Sequence, residues 1–67
     1  MARLTKTILL VTGPEGQRTT VTSERAARRL ARAWLGVGRV TETPSEFGWP
    51  IHADEDTDQV VSVEVRS

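Results

Sequence analysis

The chain has no cysteine, so neither a disulfide nor a thiolate metal site staples it. Histidine occurs once, at His52, and no H-x-x-x-H pair exists, so a metal site there would need carboxylate partners alone. Aromatic residues are scarce: two tryptophans and one phenylalanine. No apolar run approaches a membrane span, and Ile8 to Val11 is too short for the core of a secretory signal. A nucleophile elbow and a cysteine–histidine pair are both missing, and a base–nucleophile pair would have to be built from His52 with a hydroxyl such as Ser45, Thr57 or Ser62. These absences predict a non-catalytic protein without cofactor or metal. The expected setting is cytoplasmic, or the virion if a phage encodes the chain.

Two stretches imitate ligand sites. In "TGPEGQRTT", Gly13 opens what looks like a P-loop. Its second glycine should fall at position 18, which is Arg18, and its lysine at position 19, which is Thr19. Four consecutive β-branched residues, Thr19 to Thr22, then favour strand where that motif needs a helix. The stretch reads instead as a β-hairpin turning on Pro14 and Gly16. Asp54, Asp56 and Asp58 have the first spacing of a calcium loop, but Gln59 stands where glycine is needed and Val65 where the bidentate glutamate belongs. They read as a solvated acidic turn.

What the sequence does contain points to one small α+β domain spanning residues 1–67. Residues 23–35 form an amphipathic helix, with Ser23 as N-cap, Glu24 at the positive end of the dipole and Gly36 as a left-handed stop. Ala26, Ala27, Leu30, Ala33 and Trp34 share its apolar stripe; Arg25, Arg28, Arg29 and Arg32 share the opposite face. Strands are expected at 4–12, 17–22, around Val40, and at 59–66, where Val61, Val63 and Val65 alternate with polar residues. Residues 43–58 read either as a long loop or as a hairpin in which Trp49–Ala53 pairs with the last strand. The result is a β-β-α-β(-β) order: an antiparallel or mixed sheet with the helix on one face. The helix is expected to pack through Ala26, Leu30, Ala33 and Trp34 against Ile8, Leu10, Val61, Val63 and Val65.

That arrangement leaves Leu9 and Val11 on a bare sheet face, which Phe47, Trp49 and Ile51 either cap within the chain or share at a protein interface. Self-association into a dimer or larger assembly is expected, with Trp49 in or beside the contact. Charge supports an association of this kind. Residues 1–40 carry eight basic against two acidic side chains, and residues 41–67 carry one basic against seven acidic. The four-arginine helix face gives the alternative, binding to nucleic acid or to an acidic partner. The Arg/Ala/Val/Thr-rich wording resembles that of small accessory proteins of high-GC actinobacteria and their phages. This resemblance of composition, with no motif behind it, implies a capsid component or a binder of a host target.

Overall fold

The computed structural model describes residues 8–53 and 59–66. The sequence-based start of the first strand at Leu4, and the Asp54, Asp56 and Asp58 cluster, lie outside these residues. The order is β1 (Ile8–Thr12), β2 (Arg18–Val21), α1 (Glu24–Leu35), β3 (Val40–Glu42), β4 (Gly48–Ala53) and β5 (Val60–Arg66). All five strands form one sheet in the order β2-β1-β5-β4-β3, with every neighbouring pair antiparallel. The helix lies across one face and touches every strand. This is the small α+β fold read from the sequence.

Local chemistry sets the boundaries. The Gly13 N–H donates to the Gln17 carbonyl at 2.7 Å, and the Gly16 N–H returns to the Gly13 carbonyl at 3.2 Å. With Gly16 at φ 90°, this is the three-residue hairpin loop that closes on a glycine. Strand β2, not a helix, follows it directly, so the resemblance to a phosphate loop is only of letters. Ser23 Oγ accepts from the Ala26 N–H at 3.1 Å at the start of α1. Gly36, at φ 71°, ends the helix, and both its N–H and that of Val37 donate to the Arg32 carbonyl.

Val61, Val63 and Val65 face the helix as expected, but the faces of β1 are reversed. Leu9 stands opposite Val65 and Val11 opposite Val63. These residues point at the helix, and Val11 is completely buried. Ile8 and Leu10 take the open face, opposite Arg66 and Glu64. The physical reason is a register of one residue: β1 is apolar on both sides, so its own pattern does not choose, and the valines of β5 do. Trp49 and Ile51 follow them into the core, opposite Val63 and Val61, with Ile51 fully buried. Four of the five residues expected at an interface, Leu9, Val11, Trp49 and Ile51, are therefore covered by the chain's own helix. Only Phe47 remains outside, 80% exposed.

The helix is also rotated from expectation. Ala27 and Ala31 have no exposed surface and press directly on the sheet, whereas Ala26 and Leu30 are half-buried and Ala33 is exposed. Two alanines at the line of closest approach let the helix backbone sit low on the strands. Half-buried Trp34 shields the hairpin loop, where a β-carbon on Gly13 would come within 2.8 Å of its ring.

Pro50 explains how an interior strand tolerates a missing N–H. Val65 donates to the Phe47 carbonyl at 3.1 Å, so residues 47, 49 and 51 bond toward β5 and the alternate residues turn toward β3. By register Pro50 faces residue 43, one beyond the end of β3 at Glu42. The proline sits where the third strand has already left the sheet.

Candidate functional site

Among the described residues β2 is one edge of the sheet. Its residues alternate between bonding β1 and turning outward, and the Gly13–Gln17 bond fixes the phase. Leu9–Val21 and Val11–Thr19 are then bonded pairs, while the peptide groups of Arg18 and Thr20 point away from the sheet. The edge carries no proline, and its one charged side chain is Arg18. β3, the opposite edge, is only three residues long. Short length is one means by which natural sheets protect an edge.

Beside the β2 edge runs a groove of about 410 Å³, lined by Thr19, Val21, Ala26, Arg29, Leu30 and Ala33. It exists because α1 is centred over the middle of a five-stranded sheet and leaves the outer strand partly uncovered. Thr19 and Val21 form the strand wall, and Ala26, Leu30 and Ala33 form the helix wall. Arg29 is exposed on its rim. Ala26, Leu30 and Ala33, which the sequence places on the sheet-facing stripe of the helix, line this groove, and Leu30 also packs against the core. A second hollow, about 690 Å³, lies at the helix N-terminus, with Leu9, Trp49 and Val65 below and Glu24 and Glu46 on its rim.

The four arginines of the helix do not act together. Arg28 turns back onto the sheet and pairs through Nε with Glu42 of β3, whose side chain is only 9% exposed. Arg25, Arg29 and Arg32 are exposed and have no ion-pair partner among the described residues. Arg18 is likewise exposed, on the open face of the sheet next to the same edge. The β2 edge is thus flanked by a guanidinium on each side, Arg29 above and Arg18 below. His52 is exposed on the open face, opposite Val60 and Thr41.

Sequence reasoning missed β2 as a site. The signal was available in part: Thr19 and Val21 alternate with Arg18 and Thr20, as in a strand with one covered face. Edge position is a property of topology and is not written in the strand itself. No family model matches the chain, and no curated protein or solved structure matches it either. Among the described residues no helix is long and apolar enough to cross a membrane.

Proposed function

We propose that the protein is a non-catalytic protein–protein interaction module that receives an extended segment of its partner along β2. The observation that carries this reading is the groove of Val21, Ala26, Leu30 and Ala33 lying beside an edge whose Arg18 and Thr20 peptide groups face outward. An added strand gains main-chain hydrogen bonds from the edge, and its alternate side chains enter the groove.

A separate partner suits this site better than a second copy. Pairing β2 with β2 of another copy would put five strand spacings between the two central strands. At about 4.8 Å each, the helices would stand about 24 Å apart, more than twice a helix diameter of about 10 Å. The grooves would stay unfilled, and like-charged Arg18 and Arg29 side chains would be brought together.

Nucleic-acid binding is the weaker reading, because Arg28 is committed to Glu42 and three arginines remain. Selection from a displayed library of random peptides tests the main reading. Peptides should be enriched on the wild type and lost on Thr20→Pro, which removes an outward N–H without touching the bond to β1. Enrichment of nothing, or of peptides indifferent to Thr20→Pro, would remove the edge from consideration.

A further inference from the structure

The same site carries a statement about its partner's chemistry, which rests on the edge-strand reading above. We infer that the segment bound along β2 is acidic and aliphatic, with its carboxylates divided between the two sides of the added strand.

Successive side chains of an added segment point alternately to the helix side and to the open face. On the helix side they meet the groove, whose walls are the methyl groups of Val21, Ala26, Leu30 and Ala33 and of Thr19. The floor has no buried charge and no aromatic ring. It suits a branched aliphatic side chain of valine or isoleucine size. Further along the same side stands the exposed Arg29 guanidinium, which selects a carboxylate at another helix-side position.

On the open face the added strand lies directly beside Arg18 and Thr20. Opposite charges on neighbouring strands attract and like charges repel. Arg18 therefore selects a second carboxylate on that side. Neither arginine has an ion-pair partner among the described residues, so neither must be released before binding. Arg25 and Arg32 add to the positive field along the exposed side of the helix, which speeds the approach of an acidic chain more than it holds it. Opposed to this, the 690 Å³ hollow at the helix N-terminus has the carboxylates of Glu24 and Glu46 on its rim. An acidic segment is steered away from that end and toward the β2 groove.

The experiment uses three short fluorescein-labelled peptides. Each has valine and serine at fixed positions and glutamate, glutamine or lysine at the remaining ones. Binding to the full chain is read by fluorescence anisotropy. The glutamate peptide should bind about tenfold more tightly than the glutamine peptide, and the lysine peptide should bind most weakly, as expected for two exposed ion pairs. Arg29→Gln with Arg18→Gln should bring the glutamate peptide to the level of the glutamine peptide. Methylating the peptide's alternate backbone nitrogens should abolish binding, a test that needs no protein variant and so no assumption about folding.

The failures are distinct. If none of the peptides binds, the edge reading itself falls and this inference falls with it. Should the glutamine and glutamate peptides bind equally, and lose binding on methylation, the edge reading stands and the acidic partner is wrong. If polyglutamate without valine, or duplex DNA, binds as tightly as the glutamate peptide and methylation has no effect, the arginines form a general polyanion surface and the inference is overturned. Concentration-dependent self-association that the glutamate peptide cannot displace would identify a second copy as the occupant and likewise overturn it.

Discussion

The indole Nε1 of Trp49 donates to Oε1 of Glu42 at 2.9 Å. The two residues are on adjacent strands, with Glu42 opposite Ile51 and so diagonal to Trp49 on the helix-facing side. Oε2 of the same carboxylate takes Nε of Arg28 from the helix. One charged side chain thus satisfies the only polar atom of the buried Trp49 side chain and ties α1 to β3.

Removing that carboxylate leaves the indole N–H without its acceptor. Glu42→Ala should destabilise by about 1–3 kcal/mol. Glu42→Gln retains an acceptor and should recover at least half of the loss. Arg28→Ala should cost less than about 1 kcal/mol, since its side chain is 43% exposed and the ion pair is screened by water. Urea unfolding followed by tryptophan fluorescence measures all three, and a larger loss for Arg28→Ala than for Glu42→Ala would reverse the ranking.

Ile51 and Leu30 test which residues form the core. Ile51 has no exposed surface, and Ile51→Ala should cost about 2–5 kcal/mol. Leu30 is half-buried on the shoulder of the groove, so Leu30→Ala should cost only about 1 kcal/mol. Equal losses in chemical denaturation would place both residues in the core and close the groove.

Two glycines separate backbone strain from crowding. Gly16 has φ 90° but open space where a β-carbon would go, and Gly16→Ala should cost about 1 kcal/mol. Gly48 has φ 140°, and its β-carbon would run into the Val63 backbone carbonyl. Gly48→Ala should cost roughly 3 kcal/mol, strain and clash together. Thermal melts of the two variants should differ by several degrees, with Gly48→Ala the lower.

Phe47→Ser should shift stability by no more than about 0.5 kcal/mol, because the ring is 80% exposed and lies outside the core. It should also leave peptide binding at β2 unchanged, since Phe47 is absent from the groove. A melt and an anisotropy titration check both halves.

The helix was readable from sequence because its ends are chemical: Ser23 and Gly36 cap it whatever it packs on. The hairpin loop was readable for the same reason, in Pro14 and Gly16. The faces of β1 were not, because Ile8 and Leu10 are as apolar as Leu9 and Val11, and the choice is made by pairing with β5, some fifty residues away in sequence. β4 was obscured by Pro50, which argues against an interior strand unless the length of β3 is known. Arg28 looked equivalent to its neighbours on the helix, and only the arrival of Glu42 on β3 separates it from them. The groove depends on how far one helix extends over five strands, a quantity with no local signature.

The unequal edges of the sheet set a limit on assembly. Head-to-tail growth through strand pairing needs two receptive edges on every molecule, so that each new arrival presents what the last one used. Here β2 is open, while β3 is three residues long and loses its neighbour at Pro50. Strand addition at β2 would use that edge and leave β3 as short as before. On the edge-strand reading, growth of copy upon copy through both edges is therefore disfavoured.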